Sequence, residues 1–281
     1  MPDLSPRHAR EVQLVIEAHR QGRSVRVEEL RRTLAVSPAT IYNDVEILEG
    51  LRFVNSRGTL QARVDGSDSR FPERFAIRSD VKTGIGKEIV DRCLPSGAVV
   101  YLDTGSTCFY IAREIFRASR SDVSLITPNP YILELALHQD VPNEMLFLGG
   151  ALRRVGASLY GPLTEAAIRE VSYDIAIISI DFIHSDSAAT VATFSDAEVS
   201  QKRTAARHSG HSIIIAVDAS KLGRNVGNAV DSLQELAASR TVRVIVGTDA
   251  TLNAEQTKAL DLIRTAIGPD GDLRVLYLND E

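Results

Sequence analysis

Five consecutive residues, Asp103-Thr104-Gly105-Ser106-Thr107, follow an apolar run and open a stretch that reads as a helix. The chemistry open to such a segment is anion capture. Glycine lets backbone and ligand approach closely, and the two hydroxyls donate hydrogen bonds. A helix N-terminus adds N–H groups and a partial positive charge. A plain strand-to-helix turn with serine caps has the same composition, so both readings stand. Three more polar clusters also follow apolar runs. Thr127-Pro128-Asn129 could bond sugar hydroxyls, or cap a helix at Asn129. Gly149-Gly150-Ala151-Leu152-Arg153 brings a guanidinium, Arg153, which is either an anion contact or a solvated or interface side chain. Asp218-Ala219-Ser220-Lys221 sets an acid and an amine three residues apart. Asp218 and Lys221 could bind hydroxyls and phosphate, or form a surface ion pair of little energetic weight.

These clusters need a scaffold. The runs at 98–102, 123–126, 145–148, 175–180, 212–217 and 242–246 are short, apolar and separated by helical stretches. Continuous apolar runs between helices predict a Rossmann-like, mostly parallel sheet covered on both faces. Ligands of such sheets sit at the carboxyl ends of the strands, where all four clusters fall. An amphipathic helix is expected from about Val81, with Ile85, Ile89, Val90 and Cys93 on one face.

The N-terminal part reads differently. Ser5-Pro6 and Ser37-Pro38 are N-cap and first-turn pairs. They predict helices from Pro6 to near Gly22 and from Pro38 to about Gly50, with a short helix at Val27 to Leu34 between them. Ile41, Val45 and Leu48 form the buried stripe of the third helix. Strands at 52–54 and 59–61, around a turn at 55–58, complete a winged helix-turn-helix. In that geometry the N-terminal half of the third helix enters the major groove of double-stranded DNA. Ser37, Thr40, Tyr42 and Asn43 are the candidate readers, and Arg52 and Arg57 the candidate phosphate contacts. Asn43 could bond adenine in two places. Tyr42 could instead pack on the wing, and Asp44 is expected to pair with an arginine of the head. The stretch VDGSDSRFPERF reads as a hinge. The expected domains are thus 1–63 for DNA binding, 64–75 as linker and 76–281 for ligand binding and oligomerisation.

The chain has 281 residues and a net charge of −5. Residues 1–82 carry a net +2 and the remainder −7, as suits a regulator whose small head alone meets phosphates, although ordinary sampling of surface charge would look alike. There is no apolar run of membrane length and no signal-peptide pattern, so a cytoplasmic location is expected. Cys93 and Cys108 rule out a disulfide framework, and the six histidines show no metal-ligand spacing. Neither a metal nor a cofactor is expected.

The head resembles that of the DeoR family of regulators along the stretch SVRVEELRRTLAVSPATIYNDVEILEGLRFVNSRGTLQAR. Val27-Glu28-Glu29-Leu30, Val36-Ser37, Ala39-Thr40-Ile41, Asp44 and Leu48-Glu49 carry the match. Tyr42 and Asn43 stand where the family usually has two arginines, and Arg26 where a Ser or Thr cap is usual. From about Lys82 to Leu262 the chain is similar to that family's effector domain, itself like ribose-5-phosphate isomerase. The resemblance rests on Thr104-Gly105-Ser106-Thr107 and Asp218-Ala219-Ser220-Lys221. It implies that Asp103 to Thr107, Arg153, Lys202, Asp218 and Lys221 bind a small phosphorylated metabolite such as a sugar phosphate. Ser179 and Phe182 replace usual glycines. Gln201 stands where the isomerases place a glutamate base, and it accepts no proton at neutral pH. Glu198, Asp181 and Asp186 are the possible substitutes, but no catalytic residue is expected. The reading that results is a repressor of carbohydrate-metabolism genes, binding repeated operator half-sites as a homo-oligomer. An isomerase with an appended head and an adaptor that does not bind DNA are the alternatives.

Overall fold

A computed structural model describes residues 6–20, 24–50, 54–56, 60–62, 71–139, 141–154 and 156–278. The chain forms two compact units, Met1–Ser79 and Asp80–Glu281.

The first unit contains α1 (Pro6–Arg20), α2 (Val27–Thr33), α3 (Pro38–Gly50), the antiparallel strands β1 (Val54–Ser56) and β2 (Leu60–Ala62), and α4 (Phe71–Ala76). Ile41, Val45 and Leu48 are buried with Val15, Ala18, Leu30 and Leu60, so the stripe read from spacing is the face of α3 that holds the head together. Ser37 Oγ accepts the Thr40 amide at 3.1 Å and starts α3 as an N-cap. Arg26, by contrast, makes no side-chain cap to α2. The turn between α2 and α3 places Ala35 at φ +52°, a left-handed conformation that glycine adopts at less cost. Val25 pairs with Leu60 through two backbone bonds of 3.0 and 2.6 Å, tying the hairpin to the segment before α2.

Two details differ from the sequence reading. Asn55 and Ser56 lie in β1 instead of the turn. At the end of the stretch read as a hinge (64–75), Phe71–Ala76 is helical and packs beside α1. Its Phe75 and Ala76 are buried, which outweighs the loop-like composition around them.

The next helix, α5 (Ser79–Arg92), lies in the second unit from Asp80 on, and its Ile85, Ile89 and Val90, with Cys93 just past its end, are buried as expected. There follow β3 (Val99–Leu102), α6 (Ser106–Arg117), β4 (Ser124–Thr127), α7 (Pro130–Gln139), β5 (Met145–Phe147), β6 (Ala151–Arg153), β7 (Ser158–Tyr160) and α8 (Pro162–Glu170). Next come β8 (Ile175–Ser179), β9 (Phe182–Ile183), β10 (Thr190–Thr193), α9 (Asp196–His208), β11 (Ser212–Asp218), a 3-10 turn at Ala219–Lys221 and β12 (Asn228–Ser232). Last are α10 (Leu233–Ala237), β13 (Thr241–Thr248), α11 (Ala254–Ile267) and β14 (Asp272–Tyr277).

Among the described residues seven strands form one parallel sheet in the order β14-β13-β11-β8-β3-β4-β5. Alternate residues feed two cores. Val100, Leu102, Ile175, Ile177, Ile214 and Ile245 face one side, and Tyr101, Ala176, Ile178, Ile213, Ile215 and Val244 face the other. Both faces of the sheet are therefore covered, which is why these strands read as largely apolar runs. The chain runs outward from β3 to β5, then returns to the other side of β3 as β8. The strand order reverses between β3 and β8, which marks the ligand crevice of an open α/β sheet. A small antiparallel sheet, β12-β10-β9, and the β6–β7 hairpin stand beside the main sheet.

Candidate functional site

The loop after β3 and the loop after β8 meet at this reversal. Asp103 is fully buried, and its Oδ2 accepts the Ser179 amide at 3.1 Å and the Ser179 hydroxyl at 3.0 Å. Lys202, on α9, donates to the same oxygen and to the Ser179 carbonyl at 2.9 Å. Burial alone would depress the Lys202 ammonium, but the carboxylates of Asp103 and Glu198 outweigh it and raise its pKa. The lysine is thus held charged inside the protein.

Gly105 caps α6 in an extended conformation. Its need for glycine is spatial: a Cβ there would come within 2.5 Å of Ser179 Cβ and closer still to Oγ. The close approach read from the sequence as ligand contact is, in this state, contact with Ser179. Thr104, Ser106 and Thr107 are buried around the start of α6. Cys108 follows them, with its thiol pushed up to about 12 by burial and the nearby Asp103. Here burial overrides the acidifying effect of a helix N-terminus and disfavours the thiolate.

Thr127 and Asn129 hold the neighbouring loop. Asn129 Oδ1 accepts the Tyr131 amide at 3.0 Å and its Nδ2 donates to the Gly105 carbonyl at 3.5 Å. Asn129 is therefore the cap of α7 and a prop for Gly105. Arg153 is drawn inward instead of standing in solvent, donating to Glu198 Oε1 at 3.2 Å. Ser158 Oγ donates to the same oxygen at 2.8 Å. Glu198 Oε2 lies 3.8 Å from Lys202 Nζ, one helical turn along α9. The hairpin β6–β7, α9 and the β3–α6 loop are thus joined through a single run of charges.

On the other side, Lys221 donates to the Ile180 carbonyl at 2.8 Å and lies 3.8 Å from Asp218 Oδ2. Asp218 Oδ1 accepts the Ser220 amide at 3.1 Å and the Ser220 hydroxyl. Asp181 accepts Thr193 Oγ1 at 2.9 Å and the Phe194 amide at 3.0 Å. Phe182 is buried against Phe194, ring centroids 4.7 Å apart. The structure therefore brings Asp103, Thr104, Gly105, Ser106, Thr107 and Lys202 into one cluster. Arg153 joins it through Glu198, and Asp218 and Lys221 stand at the next strand end. Ser158 and Ser179 are partners that the sequence reading did not propose. The spacing carries no signal for them, since Ser179 lies 76 residues from Asp103 and Ser158 lies 40 from Glu198.

In the first unit Tyr42 is 62% exposed and Asn43 and Ser37 are exposed, with Thr40 half-buried. Arg52 and Arg57 lie outside the described residues. Asp44 points inward and is paired with an arginine as expected: Arg7 Nε and Nη2 donate to it at 2.6 and 3.0 Å, and His8 Nε2 lies at 2.9 Å. Burial opposes its ionisation, but the bonds from Arg7 and His8 hold its carboxyl below the usual range. Glu11, buried on α1, is pushed up to about 8 by burial and by the neighbouring Asp44.

The model of one protein family, described as the DeoR C terminal sensor domain, matches residues 77–245. The HTH-type transcriptional regulator GlpR of Haloferax volcanii is 26% identical over 91% of this chain and 93% of its own. The glycerol-3-phosphate regulon repressor of Escherichia coli K12 is 27% identical over 75% of this chain and 81% of its own. Among solved structures, a ribose 5-phosphate isomerase from Methanocaldococcus jannaschii aligns at 21% identity and a TM-score of 0.36, covering 51% of this chain and 54% of that one.

Proposed function

Since this chain belongs to the DeoR C-terminal sensor domain family, we propose that it is a DNA-binding transcriptional repressor of carbohydrate-metabolism genes, controlled by a small phosphorylated metabolite. The observation that carries the ligand half of this reading is the opening of α6 by Asp103–Thr107 where the strand order reverses. A phosphoryl group bound there meets the N-terminal amides of α6 and the hydroxyls of Ser106 and Thr107. The DNA half rests on the exposed Tyr42 and Asn43 of α3 and its exposed Ser37 cap, and on relatives named as a transcriptional regulator and a regulon repressor.

Control follows from the charge run. A phosphoryl group that draws Arg153 from Glu198 removes one of the two side-chain bonds that hold the β6–β7 hairpin on α9, leaving that of Ser158. Operator affinity then changes by the ligand's differential affinity for the two arrangements. Paired half-sites call for a homo-oligomer, with the second unit supplying the contacts. Gln201 accepts no proton where the isomerases place a base, while Glu198 accepts Ser158 and Arg153, Asp181 accepts Thr193 and Phe194, and Asp186 accepts the Thr190 amide.

The test is a gel shift on the DNA upstream of the protein's own gene, repeated with sugar phosphates, beside a thermal-shift screen of the same compounds. Binding at low salt that one compound alters, with a matching rise in melting point, supports the reading. No shift at micromolar protein removes the DNA half. Steady conversion of ribose 5-phosphate to its ketose would make the protein an isomerase.

A further inference from the structure

The cations that face the proposed phosphate site are already engaged by protein oxygens. Lys202 holds Asp103 and the Ser179 carbonyl, Lys221 holds the Ile180 carbonyl, and Arg153 holds Glu198. Arg224 is different. Its guanidinium stacks over the Phe182 ring with 5.3 Å between its Cζ and the centroid. It is exposed, and among the described residues no carboxylate pairs with it. Its position is nonetheless fixed. The Gly223 amide donates to the Ile183 carbonyl at 2.9 Å, and Gly223 takes φ +76° to turn the chain there. On the far side, His184 Nε2 lies 2.9 Å from the Val226 carbonyl, and Asn225 Oδ1 accepts the Ser185 amide at 2.8 Å. Phe182 is in turn locked by Phe194.

A guanidinium that lies over an aromatic face is attracted to the ring and, being exposed, can still donate to a ligand. Without an acid to satisfy, its complement is an anion from outside. The segment that carries it follows β11, the ring beneath it follows β8, and β8 is the neighbour of β3 in the sheet. Arg224 therefore follows a strand two places along the sheet from the one that leads into α6, with the Phe182 ring after the strand between them.

We infer that Arg224 is a specificity-determining residue for a second anionic group, so that the effector is doubly anionic: a sugar bisphosphate, or a phosphate ester that also carries a carboxylate. This rests on the phosphate site proposed above, with the first phosphoryl group at α6 and the second charged group at Arg224. Phe182, which replaces a glycine usual in the family that the sequence resembles, is the platform that presents the guanidinium.

Calorimetric titration of the full chain with two matched pairs tests it: fructose 6-phosphate against fructose 1,6-bisphosphate, and glycerol 3-phosphate against 3-phosphoglycerate. The doubly anionic member of at least one pair should bind at least about tenfold more tightly, the size of one charge-assisted contact. Arg224→Gln should remove that preference and leave the singly phosphorylated partner within about twofold of its original affinity, while Arg224→Lys keeps part of it. An unchanged unfolding midpoint shows that the variants are folded. Equal binding within both pairs, or a preference that survives Arg224→Gln, overturns the inference and leaves the phosphate site standing. Failure of all four compounds to bind overturns both.

Discussion

Ser179 occupies the space that a side chain at Gly105 would need, while its hydroxyl donates to Asp103. The glycine of the loop after β3 is thus fitted to a neighbouring strand end. Gly105→Ala should cost about 1–3 kcal/mol of stability, the usual range for overpacking. Adding Ser179→Gly should restore much of it. Urea denaturation of the two single variants and the double variant measures this, and additive costs would contradict the fit.

Lys202 and Asp103 are both buried, so removing one partner leaves the other charge uncompensated. Lys202→Met should destabilise the second unit by about 3–5 kcal/mol, and Lys202→Met with Asp103→Asn by less. The folded pKa of Lys202 is raised. Its contribution is therefore complete below the ordinary lysine value and is lost as pH rises through the folded one. Alkaline denaturation curves of the wild type and Lys202→Met should converge at high pH.

Asp44 anchors α3 to α1 through Arg7 and His8. Asp44→Ala should weaken the first unit by about 1.5–3 kcal/mol, the range for hydrogen bonds to a charged group. Operator affinity should fall although Asp44 touches no base. Proteolytic susceptibility of the head, set beside a gel shift, separates this from a direct contact.

Glu11 titrates near 8 in the folded head against an ordinary 4.5. A raised carboxyl favours folding fully below its unfolded value, and that advantage disappears as pH climbs through the folded one. Head stability should therefore decline between about pH 4.5 and 8, while the depressed Asp44 acts oppositely at the acid end. Thermal unfolding across pH 5 to 9 should show a flatter profile for Glu11→Gln. An unchanged slope would rule out Glu11 as the source.

Asn43 is exposed on the outer face of α3. Asn43→Ala should lose roughly 1–3 kcal/mol of operator discrimination if it reads adenine, without changing the salt dependence, because no phosphate contact is removed. Fluorescence anisotropy on specific and random duplexes over a salt series distinguishes the two effects.

What could be read from the residues follows from burial. Six sheet strands announced themselves as apolar runs, since most of their side chains feed one or other of the two cores and few polar residues, such as Ser124 and Arg243, interrupt them. The seventh, β14, stayed hidden: Asp272 and Arg274 alternate with Leu273 and Val275, as on a half-exposed edge strand. Phe182-Ile183 is too short to carry a period, and 71–76 was masked by Pro72 and by the Asp, Ser and Gly before it. In the site, the loop after β3 was legible as a motif. Its partners were not, because Lys202 lies 99 residues from Asp103 and only the resemblance pointed to it. Ser179 was read as a departure from a usual glycine, whereas it is the residue that Asp103 and Gly105 are built around.

Glu198 and Lys202 project from α9 one turn apart, one toward the hairpin and the other toward the strand-end loop. A single inserted or deleted residue between them would swing one by about 100° relative to the other. Hairpin and loop are therefore inherited together: each can lengthen or change its tip, but neither can drift in register without dragging its counterpart out of reach.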